Sequence, residues 1–304
     1  GIVEASSLGI EGSGTNAFVH FRVPQDKIKN GNAVIAVTKG GTVVWSWHLW
    51  FAKDEELNTI PMVNFQNVTY KFTKQTLGFA YPKWEGSTYD KPRVVRIKVE
   101  QLPANGGVKQ FGYITITQNP GDGVRKGFAT FYQFGRKDAF PGTDAGLVGS
   151  FNKSASNNMS IQNGIQHPEN FYLGGSSWNS NPPAGYSWYN LWSANNTTTG
   201  FNDNAVVKTI YDPCPVGFKL PASNAFTGFS KTGDDTSNPA DFNVSGAWNN
   251  GWNFNNKRTA PDASVYFPTS GHRVSDGGYI GNALFEGAYW LAVPHSSGVG
   301  CLMD

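Results

Sequence analysis

The chain is poor in several residue types, and each shortage excludes a class of protein. Among its 304 residues there are only two cysteines and five histidines. The cysteines form no CxxC pair and the histidines no HExxH run, so the sequence does not predict a zinc site. Charged residues make up 15% of the chain, below the roughly 25% of typical soluble domains. Asn, Ser, Thr and Gly must therefore cover much of the surface.

Basic blocks and long apolar runs are also absent from the sequence. The net charge is only +2, which argues against nucleic acid or an anionic membrane surface as the main partner. No apolar stretch approaches the roughly 20 residues that a membrane-spanning helix needs. The chain begins at Gly1 without Met or a signal peptide. We therefore expect a processed or truncated part of an exported precursor.

The sequence carries no recognisable catalytic motif. There is no GxSxG elbow, no Walker loop and no GxGxxG run after a strand. The acidic run at residues 54–56 is typical of a solvated face. Glu286 lies among aromatic residues, but glycoside hydrolysis needs a pair of carboxylates, and the sequence does not show one. We therefore predict no catalytic residue, no metal ligand and no cofactor, and we expect a protein that is not an enzyme.

Residues 1–120 alternate between apolar and polar side chains. Val95, Ile97 and Val99, for example, are separated by charged residues. Regular period-two alternation with turn residues between the runs predicts an antiparallel β-sandwich. The continuous apolar run at residues 33–37 predicts a strand that is buried on both faces.

Two glycines and a later turn cluster divide this pattern. Gly40 and Gly41 predict a tight turn between two strands, because both residues accept positive φ. The cluster at residues 119–123 is the best candidate for a linker. Beyond it the strands become short and Gly, Asn and Ser accumulate, which predicts a second, loop-rich α+β domain at residues 121–304. We therefore expect two domains, with the boundary at residue 120.

Aromatic side chains in loops of the second domain are the strongest sign of binding. Sugar rings stack on exposed indoles, and Asn amides hydrogen-bond to sugar hydroxyls. The alternative is that these rings pack the core of a domain with few strands, because Trp is on average highly buried. The candidate ligand-binding residues are Trp178, Trp188, Tyr189, Trp192, Trp248 and Trp252.

The only two cysteines, Cys214 and Cys301, are the candidates for a disulfide. Cys214 lies at residues 211–221, where three prolines predict a rigid loop. A Cys214–Cys301 bond would fasten the last strand to this loop and would stabilise the fold by about 4–5 kcal/mol in the loop-entropy model. Such a bond suits an exported protein. Two buried free thiols are the alternative.

Four segments carry a resemblance to a known family. Residues 31–50, 131–142, 161–172 and 208–221 resemble the fimbrillin-related surface proteins of Bacteroidetes. The last three segments (FYQFGRKDAFPG, IQNGIQHPENFY and KTIYDPCPVGFKLP) are similar to the C-terminal module called the Fibrobacter major paralogous domain. That module contains segments like QWGRKDPFPG and DPCPxGwrvP. Phe134 and Ala139 replace its usual Trp and Pro, which are changes that packing should tolerate.

The resemblance implies a C-type-lectin-like fold for the second domain and a secreted or cell-surface location. It suggests a tip or accessory fimbrillin, with pilus subunits as partners and a ligand bound by loops of the C-terminal domain. Shaft subunits add a strand to a neighbour's sheet, and no tail follows Cys301 here beyond three residues. We therefore expect a subunit that caps a pilus or stands alone.

A calcium-dependent sugar site is not predicted, although C-type lectins resemble this module. Such lectins pair an EPN or QPD motif with WND. Residues 168–170 read PEN and residues 248–250 read WNN, so the second run lacks the carboxylate that calcium prefers.

The sequence therefore predicts an extracellular adhesin that binds a host, bacterial or matrix glycan or protein. Three other functions stay open. A glycan-capture protein of a polysaccharide-uptake system would bind one polysaccharide tightly and would not associate with pilins. An enzyme acting on surface glycans or proteins would lose turnover when one carboxylate is changed. A structural stalk would bury all of its loop indoles.

Overall fold

The computed structural model describes most of the chain. The described residues are 1–80, 92–101, 107–118, 127–143, 149–155, 159–174, 191–194, 200, 202–296 and 299–303. Within them strands far outnumber helices, so the chain is mainly β with a small helical content. The predicted mainly β, α+β class is thus confirmed. The sandwich and the lectin-like fold stay predictions.

The strands are short. In chain order they are β1 (Gly9–Glu11), β2 (Phe18–His20), β3 (Gly31–Lys39), β4 (Thr42–Phe51), β5 (Thr59–Val63), β6 (Thr69–Thr73), β7 (Arg93–Glu100), β8 (Phe111–Gln118), β9 (Thr130–Phe131), β10 (Phe140–Pro141), β11 (Asn152–Ala155), β12 (Asn170–Tyr172), β13 (Val244–Ser245), β14 (Gly251–Asn255), β15 (Ser264–Pro268), β16 (His272–Arg273), β17 (Ile280–Gly281), β18 (Tyr289–Ser296) and β19 (Val299–Met303). The α-helix α1 spans Ile161–Gln166. The 3-10 helices span Ala5–Ser7, Gly14–Asn16, Gln25–Lys27, Asp54–Leu57, Ser223–Phe229 and Pro239–Asp241.

Most of the described strands pair with a neighbour in sequence. Strands β13, β14 and β15 form a three-stranded antiparallel sheet, and the other described strands form two-stranded ladders. The pair β11 and β12 is parallel, and the other ladders among the described residues are antiparallel. The chain therefore relies on side-chain packing between small sheets rather than on one continuous sheet.

Strands β3 and β4 form a long hairpin. Gly40 and Gly41 make its turn with φ values of 59° and 83°, which confirms the predicted tight turn. Ile35 on β3 is buried, whereas Val34 is 44% exposed. The prediction that residues 33–37 are buried on both faces is therefore wrong. The reason is that only one face of β3 is covered, and the face that carries Val34 and Ala36 meets solvent.

Three adjacent charged side chains are buried where residues 135–138 (GRKD) contact β4. Arg136, Lys137 and Asp138 are 3%, 8% and 4% exposed. One carboxylate oxygen of Asp138 lies 3.1 Å from Arg136, and the other lies 2.7 Å from Lys137. The Ser46 hydroxyl on β4 donates to Asp138 at 2.7 Å. This pairing compensates for the burial of the charges and connects β4 to the segment.

The main core joins strands from distant parts of the sequence. Its buried members are Met62, Phe229, Phe254, Val265 and Phe267. Met62 lies in β5, whereas Phe254 and Phe267 lie in β14 and β15. The rings of Phe229 and Phe254 stack with their centroids 4.3 Å apart. The core therefore holds early and late strands together.

The chain forms two compact units, which are not divided at residue 120. The first unit contains residues 1–81 and 126–304, and the second contains residues 82–125. The predicted domains 1–120 and 121–304 differ from this division, because Met62 shares its core with residues that follow position 121. The backbones of Ala80 and Phe128 pair through hydrogen bonds of 2.8 and 2.9 Å. The two stretches of the first unit therefore meet close to the points where residues 82–125 leave it and return to it.

The described part of the second unit contains the hairpin of β7 and β8. Every residue of both strands is exposed. The Arg96 guanidinium lies 3.8 Å from the ring centroid of Tyr113, and the Lys98 ammonium lies 4.6 Å from that of Phe111. The register places Arg96 opposite Thr115 and Lys98 opposite Tyr113, so each cation reaches an aromatic ring diagonally across the hairpin, where cation–π contact stabilises this face. The strand that the alternation predicted here is confirmed.

Candidate functional site

Trp192 is a core residue, contrary to its predicted role in binding a ligand. Its side chain is 0% exposed. Its ring packs edge-on against Phe134 with centroids 5.0 Å apart, and its Nε1 donates to the Arg136 carbonyl at 2.9 Å. The indole is therefore enclosed, with its polar atom satisfied, and offers no face to a sugar. Phe134 is itself buried.

Trp252 also belongs to the packed interior rather than to a loop. It lies in β14, opposite Phe267 of β15. Its partly buried ring packs against the main core and meets Phe242 edge-on with centroids 6.0 Å apart. Strand pairing places part of this ring against the core, and its predicted role in ligand binding stays a prediction.

Trp248 is the one predicted indole in the described residues that is well exposed, at 45%. It precedes Asn249 and Asn250 in the loop before β14. The Tyr266 hydroxyl oxygen lies 2.9 Å from the carbonyl oxygens of both Asn249 and Asn250 and shares its one proton between them. The Thr269 amide donates to the Asn250 carbonyl at 2.9 Å. These bonds fix the loop, so Trp248 is presented to solvent on a rigid support.

The other three predicted aromatic residues, Trp178, Trp188 and Tyr189, lie outside the described residues. Their role in ligand binding stays a prediction.

The proline-rich loop is organised by Asp212. Its buried carboxylate accepts from the amides of Cys214 at 2.8 Å and Leu220 at 3.0 Å, and it pairs with Lys208 at 2.9 Å. Cys214 carries a free thiol, whose pKa is raised well above its usual value, first by burial and then by Asp212. The predicted disulfide is therefore not formed at Cys214. The side chain of Cys301 lies outside the described part of the chain.

A cavity of about 1330 Å³ lies in the first unit. Small-molecule sites usually occupy about 300–1,000 Å³, so this space exceeds the common range. Exposed Lys71 and Lys219 lie among its lining residues, which connects the cavity to solvent. Aromatic side chains make up much of the wall, among them Trp50, Phe72, Phe131, Tyr132, Tyr289 and Trp290.

A buried hydrogen-bond network lies behind the wall at Tyr132. The Tyr132 hydroxyl lies 2.6 Å from Nδ1 of His48, and Nε2 of His48 lies 2.8 Å from the side-chain oxygen of Asn32. Burial lowers the pKa of His48 to about 4 and raises the pKa of Tyr132 well above its usual range. Both side chains are therefore neutral at physiological pH and hold the wall in place.

A cluster of polar side chains faces the same cavity from β16 and the loop after β17. Nδ1 of His272 lies 2.8 Å from Oε1 of Glu286, and the Asn282 amide donates to Oε2 at 2.6 Å. The Ser270 hydroxyl is buried and has no hydrogen-bond partner. Ser270, His272 and Glu286 all line the cavity. The cluster offers hydrogen-bond acceptors and a hydroxyl group to a bound molecule.

Sequence reasoning missed two members of this polar cluster. Aromatic neighbours distinguish Glu286 alone in the sequence, and no motif includes Ser270 or His272. A signal was present, because residues 269–272 (TSGH) follow directly after the buried strand β15. Polar residues at the end of a buried strand are often placed at a site by the rigid scaffold.

The described residues contain neither a metal-binding cluster nor a membrane-spanning helix. Among them, no group of three or more His, Cys, Asp or Glu residues could hold a metal ion. None of the helices in that part of the chain is long and apolar enough to cross a membrane.

Comparisons with known proteins give no family for this chain: no family model, no curated protein and no solved structure matches it.

Proposed function

We propose that the protein is a cell-surface adhesin, acting as a tip or accessory subunit of a Bacteroidetes pilus outside the outer membrane. The segment resemblance to fimbrillin-related proteins supports the location and the pilus partners. The observation that carries the binding role is Trp248, which is 45% exposed on a loop held by hydrogen bonds. The ligand is a host, bacterial or matrix glycan or protein.

The chemistry of the Trp248 loop suits an adhesive contact. An exposed indole gives a large apolar area at a small entropic cost, since only two torsions must be fixed. The neighbouring side chains of Asn249 and Asn250 add amide donors and acceptors. A rigid loop also avoids the cost of ordering on binding. A stalk protein would bury its loop indoles, so the exposure of Trp248 favours the adhesin over that alternative.

The direct test is a glycan array and an extracellular-matrix protein array, probed with the wild-type chain, Trp248→Ala and Trp47→Ala. Trp47 is the matched control, because it is 41% exposed but lies in β4. We expect saturable binding that weakens at least about tenfold, or about 1.4 kcal/mol, in Trp248→Ala only. Equal binding by all three proteins would refute the role of the Trp248 loop.

Pilus membership is tested separately by pull-down with fimbrillin shaft subunits. Co-assembly with a shaft subunit is expected. If no shaft subunit is retained while array binding persists, the protein is a stand-alone binder, and the glycan-capture function replaces the pilus role.

A further inference from the structure

The cavity of the first unit has no part in the adhesive contact proposed for Trp248. We infer that this cavity is a second binding site, which takes a neutral oligosaccharide held at Ser270, His272 and Glu286. The inference goes beyond adhesion, because it assigns a cavity to a small molecule rather than a surface to another cell.

The Ser270 hydroxyl is the first observation in favour of a ligand. Its Oγ is buried without a hydrogen-bond partner and the residue lines the cavity. Buried polar atoms in folded proteins almost always have partners, and an exception asks for an explanation. A ligand hydroxyl entering the cavity would donate to Oγ or accept from it, and would remove the desolvation cost of this group.

His272 and Glu286 are held in one orientation and keep unused acceptors. Glu286 accepts from His272 through Oε1 and from Asn282 through Oε2, which leaves a second lone pair on each oxygen. The bond to Glu286 occupies Nδ1 of His272, so Nε2 is the ring nitrogen that is left to exchange a hydrogen bond with a ligand hydroxyl. Sugar hydroxyls donate to such acceptors and at the same time accept from a serine hydroxyl.

The residues that line the cavity favour a ligand that is polar and uncharged. The negative charge of Glu286 disfavours an anion at this point. A pure hydrocarbon would leave Ser270 unpaired in a dry site. Aromatic rings such as Tyr289 and Trp290 line the same space, and they pack against the CH face of a sugar. The volume of about 1330 Å³ exceeds that of common small-molecule sites, which favours several linked rings over one.

The residue types also occur in Ser–His–acid hydrolases, but the contact that activates a nucleophile is missing. A nucleophilic serine needs a hydrogen bond to its base. Ser270 Oγ makes none, to His272 or to any other group. The geometry therefore favours binding without turnover.

The test is isothermal titration of the whole chain with maltotriose, cellotriose, chitotriose, xylotriose and mannotriose. At least one trisaccharide should bind the wild-type protein with a single saturable site. Ser270→Ala and Glu286→Gln should each weaken this binding about tenfold, because each removes a hydrogen bond to the ligand in a desolvated site. Thermal unfolding of both variants checks that they fold, and Glu286→Gln decides the result if Ser270→Ala does not fold.

Matched controls separate this site from the Trp248 loop. Ser245→Ala and Glu11→Gln change exposed residues that do not line the cavity, and trisaccharide binding should be unaltered in both. Trp248→Ala should also retain it, whatever happens to adhesion on the arrays. The inference is overturned if none of the five sugars binds, or if the two cavity variants bind as tightly as the wild-type chain.

Discussion

At the scale of single residues, buried charges and polar groups in this chain are stabilised by specific partners. Asp138 is paired with two cations, and Asp212 accepts two backbone amides and pairs with Lys208. His48 stays neutral between Tyr132 and Asn32. The two carboxylates take these partners from their own segments and so fix local structure, whereas the His48 network joins β4 to β3 and to the segment of Tyr132.

Removing the carboxylate of Asp138 should destabilise the protein strongly. Asp138→Ala leaves Arg136 and Lys137 buried without a counter-charge, and we expect the free energy of unfolding to fall by about 3–5 kcal/mol. Guanidinium denaturation measures this change. The control is Asp26→Ala, because Asp26 is 71% exposed in its pair with Lys27 and should alter stability by less than about 0.5 kcal/mol. Equal unfolding midpoints for the two variants would contradict the prediction.

His48 should make stability depend on pH. Burial lowers its pKa from 6.5 to about 4, so between these values the unfolded chain binds more protons at His48 than the folded protein does. Stability is then complete above pH 6.5 and falls as the pH drops towards 4, by about 3 kcal/mol in total. Urea unfolding of the wild type and His48→Gln at pH 7 and pH 4 measures it. The wild type should lose more stability than the variant, and parallel losses would refute the assignment.

At the scale of elements, the sequence pattern correctly predicted the strands and turns that depend only on neighbouring residues. The alternation at residues 95–99 and the glycine pair at residues 40 and 41 need only neighbouring residues to form a strand or a turn. The burial of Trp192 and Trp252 could not be predicted in this way, because it depends on Phe134 and on the pairing of β14 with β15. A loop-rich sequence does not reveal which indoles a distant strand will cover.

The turn between β3 and β4 should require a left-handed conformation at Gly41. Its φ is 83°, and a Cβ placed there would meet no atom within 4 Å, so only backbone strain opposes a side chain. Gly41→Val should lower the free energy of unfolding by about 1–2 kcal/mol, whereas Gly41→Asn should lower it by less than half as much, because Asn tolerates this region. Denaturant titration of both variants provides the measurement. Equal losses would show that the turn rearranges.

At the scale of the whole molecule, the first unit is assembled from two separated stretches of sequence. Met62 and Phe72 of the early stretch pack with Phe229 and Phe267 of the late one. The cavity is likewise lined from both, with Trp50 before the interruption and Ser270 after it. Contacts over such sequence distances leave no local pattern, which explains why neither the division into units nor the Ser270 cluster could be predicted from the sequence.

This assembly predicts that residues 82–125 can be removed without unfolding the first unit. The backbones of Ala80 and Phe128 are hydrogen-bonded to each other, so a short Asn-Gly turn can join the two stretches. We expect the shortened chain to keep its near-ultraviolet circular dichroism and to unfold in one cooperative transition within a few degrees of the full chain.

The complementary experiment deletes the early stretch instead. A fragment of residues 127–304 lacks Met62 and Phe72, and the loss of each large core side chain costs about 2–5 kcal/mol. The loss of both is comparable with the roughly 5–15 kcal/mol that stabilise a typical domain, and the fragment also lacks strands β3 to β6. This fragment should therefore show no cooperative transition. If the fragment folds and the chain without residues 82–125 does not, the late stretch is an independent domain, and the boundary lies near residue 120 after all.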